Sequence, residues 1–143
     1  MTEVSEKYLV EMLRSVPLFS GLKDKQVRAI LGSGKQMHYD AGKEIVKEGE
    51  NGVGFYLIAE GNVEVRRKGK VLSKLGKGDF FGEMSLLDKE PRSADVVAVT
   101  PVTCFGLTAW SFSGLLRTQP DISINMMLEL VRRLRGTNKA LTA

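Results

Sequence analysis

The chain has 143 residues, of which 43% are hydrophobic, and carries a formal net charge of +4. This length predicts one globular domain spanning 1–143. No apolar run approaches the roughly 18 to 20 residues of a membrane-spanning helix, and the charged, amphipathic N-terminus is unlike a signal peptide, so we expect a soluble cytoplasmic protein with no membrane contact. The single cysteine, Cys104, excludes an internal disulfide and lies in an apolar stretch typical of a core.

The scarcity of histidine argues against an enzyme. Metal enzymes usually bind through two or three histidines with a carboxylate, and His38 is the only histidine in the sequence. No serine, histidine and acid constellation is apparent, and the glycine-rich stretches lack the spacing of a Walker loop or a dinucleotide fingerprint. We therefore expect neither catalysis nor a metal or other cofactor.

Residues 1–34 predict two helices. Apolar residues recur at helical spacing from Ser5 to Ser15, and Pro17 with Gly21 then predicts a turn. A second short helix is expected from Lys23 to Leu31, with Gly32 closing it.

Residues 35–108 change to a β pattern. Short runs rich in Val, Ile, Tyr and Phe are separated by glycine and proline turns, which predicts about eight strands. Short antiparallel strands at this spacing imply a jelly-roll barrel. The fold class expected is therefore α+β, mainly a β jelly roll (a double-stranded β-helix), with helices before and after it and one short helix inside it.

Residues 109–143 predict two more helices, Ala109 to Arg117 and Asp121 to Leu141. The last has a wide apolar stripe, consistent either with core packing or with a lid over a pocket or a dimer interface. Gly136 inside this helix costs about 1 kcal/mol relative to Ala. The apolar residues are Ile124, Met127, Leu128, Leu130, Val131, Leu134 and Leu141.

The basic residues form two clusters, one in a predicted hairpin and one on the last helix. Both are more typical of solvated surfaces than of a nucleic-acid interface. The chain also shows no second unit of a helix-turn-helix, so we expect no nucleic-acid binding within it. The clusters are Arg66, Arg67, Lys68 and Lys70, and Arg132, Arg133, Arg135 and Lys139.

The most informative segment runs from Gly78 to Ala98. A strand end, a turn at Gly82 and a short helix from Glu83 place free backbone amides near Ser85, which favours an anion. Arg92 follows a proline turn and offers a planar fork of donors to the same anion. A phosphate is the expected ligand group.

Glu83 narrows the choice of phosphate. Its carboxylate would repel a polyphosphate, so we expect it to accept a hydrogen bond from a ligand hydroxyl instead. An anion, a hydroxyl and apolar neighbours describe a ribose cyclic phosphate better than ATP.

The sequence FGEMSLL followed by PRSA resembles the phosphate-binding cassette of cyclic nucleotide-binding domains. We call residues 80–96 the cassette. The resemblance extends over roughly Phe19 to Leu141 and implies a regulatory module that binds a cyclic nucleotide. The cassette positions that it implicates in ligand binding are Phe81, Gly82, Glu83, Met84, Ser85, Arg92, Ser93 and Ala94.

The same resemblance suggests how the base and sugar are held. It implies that Val63, Leu72 and Leu75 line the pocket, although these residues are equally consistent with barrel core. It also implies that Thr137 meets the base and that Asn138 takes the place of a polar residue from a dimer partner. Ser93 after the arginine favours cAMP over cGMP in this family.

Two functions are therefore open. In the first, the domain is a cAMP sensor whose last helix closes over the pocket or transmits the signal, with a second copy of the chain or an effector protein as partner. In the second, it is a non-catalytic protein-interaction module with a vestigial nucleotide site. The presence of both Glu83 and Arg92 favours the first.

Overall fold

The computed structural model describes residues 3–49, 54–90 and 92–142, the last five by their backbone only. The predicted turn residues Gly52 and Pro91 lie outside these ranges. The N-terminal segment forms helix α1 (Glu6–Arg14), a 3-10 turn (Pro17–Phe19) and helix α2 (Asp24–Ser33).

The N-terminal helices begin and end for identifiable reasons. The Ser5 hydroxyl caps α1 by accepting the Tyr8 amide at 3.3 Å. The prediction that Gly32 closes α2 is wrong, because the helix continues to Ser33 and the chain turns at Gly34. A Cβ on Gly34 would overlap the carbonyl oxygen of Gly106, so this turn requires glycine.

The described part of residues 35–108 forms eight strands, as predicted. They make two four-stranded antiparallel sheets, one in the order β1-β8-β3-β6 and the other β2-β7-β4-β5. This arrangement is consistent with the expected jelly roll. The strands are β1 (Lys35–Tyr39), β2 (Glu44–Val46), β3 (Gly54–Glu60), β4 (Val63–Arg67), β5 (Lys70–Leu75), β6 (Phe80–Phe81), β7 (Asp95–Ala98) and β8 (Val102–Thr108).

Strand β3 separates two apolar cores. Its residues alternate between the faces of the sheet, so Phe55 and Leu57 pack against the helices while Ile58 packs between the sheets. Phe19 anchors the helical side, with its ring 5.5 Å from that of Phe55. Burial on both faces explains why β3 is apolar almost throughout. Cys104 on the neighbouring strand β8 is buried between the sheets, as expected.

Three helices complete the fold: α3 (Ser85–Asp88) within the cassette, α4 (Ala109–Thr118) and α5 (Pro120–Thr142). Helix α5 continues through Gly136 without interruption. Its buried apolar residues, Ile122 and Met126, lie near its start. Where its side chains are described, the predicted stripe further along is largely exposed, as at Leu128 and Leu134, which have about 60% of their surface accessible, while the side chain of Leu141 lies outside the described residues. Core packing therefore does not account for the stripe.

None of the helices within the described ranges is long and apolar enough to span a membrane.

Candidate functional site

Strand pairing positions the start of the cassette. Strand β6 pairs with β3 so that Phe81 lies opposite Tyr56 and Phe80 opposite Leu57. The rings of Tyr56 and Phe81 stack with centroids 5.1 Å apart and planes 15° from parallel. The turn that follows is therefore attached to a central strand of the barrel.

Gly82 makes that turn possible. Its φ of +81° lies in the left-handed region, which L residues with a side chain adopt at a cost. A Cβ on Gly82 would also overlap the carbonyl oxygen of Gly54 and a guanidinium nitrogen of Arg92. Both the backbone conformation and the close packing require glycine here.

Arg92 is buried against the same turn, with 8% of its surface exposed. Its Nη2 donates a hydrogen bond to the Gly54 carbonyl oxygen. Its guanidinium lies 5.6 Å from the ring centroid of Tyr56 and 5.9 Å from that of Phe81. The arginine is thus fixed in position by a carbonyl and two aromatic rings, which suits a residue that must present charge to a ligand.

A cavity of about 170 Å³ lies beside the guanidinium, and we call it the Arg92 cavity. Six of the predicted site residues line it. Val65 lines it too, although the sequence resemblance pointed to Val63. Alternate residues of a strand share a face, so the side chains of Val63 and Val65 point to the same side of β4. The described lining residues are Val46, Val65, Phe81, Gly82, Ser85, Arg92, Ser93, Ala94 and Val96.

Two other predicted residues lie at a different cavity. Glu83 and Met84 line a space of about 240 Å³, which we call the Glu83 cavity. Its other walls include Leu130 and Arg133 of α5. Glu83 thus lines a different cavity from Arg92, one that the last helix borders, which the sequence pattern did not indicate.

The carboxylate of Glu83 is poorly solvated. Its Oε2 is buried and has no hydrogen-bond partner among the described residues. Burial raises the pKa of Glu83 above its ordinary value, and the positive charge of Arg133 opposes that rise without cancelling it. A buried acceptor without a partner is suited to receive a hydrogen bond from a ligand hydroxyl.

The remaining predicted contacts are not brought together at either cavity. Val63 is buried in the core between the sheets, Leu75 packs at its edge, and Leu72 is about half exposed on β5. The Thr137 hydroxyl donates to the Arg133 carbonyl at 3.2 Å within α5. The side chain of Asn138 lies outside the described residues. Roles for these five in binding stay predictions.

Two backbone details refine the cassette. The Ser85 amide, expected to face the anion, donates instead to the Gly82 carbonyl at 3.1 Å. Asp95 accepts the Glu48 amide at 2.7 Å and so ties the segment after β2 to the end of the cassette. Asp95 therefore has a structural contact of its own.

The described residues contain no cluster of three or more potential metal ligands among His, Cys, Asp and Glu.

Comparison with known families gives a match to the cyclic nucleotide-binding domain over residues 36–119, more than half of the chain. The chain belongs to the cyclic nucleotide-binding domain family. The matched range includes the whole cassette and all eight strands except the first residue of β1. Membership of this family makes the chain a cyclic nucleotide-binding regulatory domain.

Relatives of this cyclic nucleotide-binding domain include proteins named for either nucleotide. It is 37% identical over 128 residues to the cyclic AMP receptor protein of Thermus thermophilus, covering 86% of this chain and 59% of the relative. It is 39% identical over 87 residues to a cGMP-dependent protein kinase of Plasmodium berghei, covering 61% of this chain and 10% of the kinase. The chain thus spans about three fifths or less of these relatives.

A solved structure confirms the fold. The N-terminal domain of a transcriptional regulator from Streptomyces coelicolor A3(2) superposes with a TM-score of 0.81 at 31% identity, over 92% of this chain and 96% of that one.

The Gly82 turn predicts a specific stability difference. Gly82→Ala introduces both backbone strain and overlap with Gly54 and Arg92, and we expect it to lower the free energy of unfolding by about 2 to 4 kcal/mol. Gly69 has a similar φ of +78° but open space around it, so Gly69→Ala is the matched control and should cost about 1 kcal/mol. Denaturant unfolding measures both. Equal losses would show that the packing around Gly82 is not restrictive.

Burial of Glu83 predicts a pH-dependent effect on stability. Because its pKa in the folded protein lies above the ordinary 4.5, the folded state holds this proton more tightly, and stability falls as pH rises from about 4.5 through the raised pKa. Glu83→Gln should therefore increase the free energy of unfolding more at pH 7 than at pH 4. Glu11→Gln, on the exposed side of α1, controls for loss of one negative charge. An identical change in both variants at both pH values would contradict a desolvated Glu83.

Proposed function

We propose that this domain is a cAMP sensor: it binds cAMP in preference to cGMP through the cassette, and α5 responds to the ligand. The observation that carries the proposal is the presence, on one short segment, of a buried and immobilised Arg92 and of a partly buried Glu83 whose Oε2 is buried without a partner among the described residues. Each group suits one half of a ribose cyclic phosphate.

The Arg92 cavity suits the phosphate. Arg92 is the one charged residue among the described residues that line it, and it is positive. The hydroxyls of Ser85 and Ser93 add neutral donors at the same wall. A cyclic phosphodiester carries one negative charge, so a single guanidinium with neutral donors matches it without excess charge.

The Glu83 carboxylate suits the ribose. A 2′-hydroxyl that donates to Glu83 would satisfy an oxygen that has no partner among the described residues. The hydroxyl would also need this acceptor once it leaves water. The contact selects ribose over deoxyribose and links the ligand to the cavity that α5 borders.

The preference for cAMP has two supports. Serine follows the arginine, as is common in cAMP-binding members, and the first relative reported above is named a cyclic AMP receptor protein. The valines at positions 46, 65 and 96 supply apolar surface beside the phosphate. Val63, Leu72 and Leu75 around the base, and Thr137 with Asn138 over it, complete the predicted pocket.

Helix α5 is the proposed responding element. Leu130 and Arg133 border the Glu83 cavity, so a ligand hydroxyl at Glu83 changes the hydrogen bonding of the carboxylate and the packing that they face. Beyond them the helix exposes apolar side chains such as Leu134. We propose that ligand binding moves this helix over the pocket, and that its exposed stripe meets a second copy of the chain or an effector protein.

Titration calorimetry with cAMP and cGMP tests the proposal. We expect saturable binding of both, with cAMP tighter, and Arg92→Ala should weaken cAMP binding by about 2 to 5 kcal/mol because one partner of a buried charge pair is lost. Arg66→Ala is the control for loss of a positive charge, since Arg66 is paired with Glu64 at 2.6 Å on β4. Melting temperatures of both variants verify folding.

Absence of heat and of thermal stabilisation at millimolar concentrations of both nucleotides would contradict the sensor proposal. That result would favour a protein-interaction module with a vestigial site. An equal loss of affinity in the Arg66 and Arg92 variants would show that general charge, rather than the buried guanidinium, holds the phosphate.

A further inference from the structure

A third cavity, larger than the two at the cassette, lies where β1, β3 and β8 meet the start of α4. Its volume is about 540 Å³, within the range of small-molecule sites. Of the residues proposed above to bind the cyclic nucleotide, none is among the described residues that line it. We call it the Trp110 cavity, after the residue at its rim.

The walls of the Trp110 cavity favour a flat, apolar guest. Tyr56 and Trp110 contribute aromatic rings, and Met37 contributes a flexible thioether that adapts to ring surfaces. Trp110 has 73% of its surface exposed, an unusual exposure for so large an apolar ring. A planar aromatic molecule placed here would cover part of that ring.

The charge of the lining favours an anion. Lys35 is the one charged residue among the described lining residues, none of which is acidic. The hydroxyl of Ser111 offers a further donor at the α4 side. A carboxylate or similar group on an aromatic ring would therefore meet a cation and a hydroxyl without repulsion.

Residues that line the Trp110 cavity also contact the cassette. Gly54 and Tyr56 line it, and the same two residues hold Arg92, one through a carbonyl hydrogen bond and the other through its ring. A second link comes from Lys89 at the end of α3, whose Nζ lies 4.5 Å from the centroid of the Trp110 ring. Two separate residues of the cassette thus contact residues that line this cavity.

We propose that the Trp110 cavity is a second ligand site, selective for planar aromatic anions, and that its occupation tightens cyclic nucleotide binding. A guest packed against Gly54 and Tyr56 would hold in place the carbonyl and the ring that position Arg92 for the nucleotide, so the coupling is positive. The coupling rests on the proposed function; binding at the Trp110 cavity does not.

Binding is tested by NMR with 2-naphthoate as the probe. Trp110 is the only tryptophan in the sequence, so its single indole N–H signal reports the cavity directly. We expect a saturable shift with 2-naphthoate and at least fivefold weaker binding of neutral 2-naphthamide. Lys35→Gln should weaken 2-naphthoate binding about three- to tenfold, whereas Lys25→Gln on α2 should leave it unchanged.

Filling the cavity gives an independent test. Ser111→Phe places a ring at an exposed position of the wall and should abolish the saturable shift while the melting temperature is maintained. Absence of saturation in the unmodified protein, equal effects of the two lysine variants, or full binding in Ser111→Phe would each overturn the site.

Coupling is tested by cAMP titration with and without saturating 2-naphthoate. We expect the dissociation constant for cAMP to fall by about two- to tenfold, and by reciprocity cAMP should tighten 2-naphthoate binding by the same factor. An unchanged constant, or displacement of 2-naphthoate by cAMP, would overturn the coupling. If cAMP does not bind while the Lys35-dependent shift persists, the proposed function fails and the Trp110 site stands.

Discussion

The burial of one guanidinium is the constraint on which the site depends. Arg92 is held against the Gly82 turn by the Gly54 carbonyl and lies beside the stacked rings of Tyr56 and Phe81. This arrangement requires glycine at position 82 and the pairing of β6 with β3. It also requires the buried start of β3, where Gly54 supplies the carbonyl. A buried positive charge is costly unless it meets compensating groups, so the fold around Arg92 is arranged to make that burial tolerable and to leave a cavity for an anion.

The cassette places Arg92 and Glu83 at different cavities. Arg92 faces a small space closed by valines, and Glu83 faces a space bordered by α5. A ligand that carries a phosphate and a neighbouring hydroxyl can contact both cavities at the same time. Ligand binding can therefore affect the last helix, because the carboxylate proposed to bind the ribose lines the same cavity as Leu130 and Arg133.

Much of the fold could be predicted because its signals are local. Strand β3 is apolar on both faces and bounded by glycine turns, and the eight strands follow from such patterns. Glu83 and Arg92 could be identified because their residue types, spacing and flanking FG and LL carry the chemistry within one short segment. The end of α2 was missed because Gly34 is required by a contact with Gly106, more than 70 positions away.

Other parts of the site depend on contacts that a sequence does not display. The approach of α5 to Glu83 is tertiary packing, and no periodicity distinguishes Arg133 from the other arginines near it. Val63 and Val65 lie on the same face of β4, so the direction of the side chain does not distinguish them. Their position along the strand decides that Val65 lines the cavity. The exposure of the α5 stripe likewise follows from where the helix leaves the barrel.

The central claim is that Glu83 reads the ribose hydroxyl of a ligand whose phosphate is held at Arg92. The most direct measurement is a thermodynamic cycle by calorimetry, with cAMP and 2′-deoxy-cAMP titrated into the unmodified protein and into Glu83→Gln. The account predicts that the unmodified protein prefers cAMP by about 1.5 to 3 kcal/mol, the range for a hydrogen bond to a charged group, and that the preference largely disappears in the variant. The same preference in both proteins would contradict it.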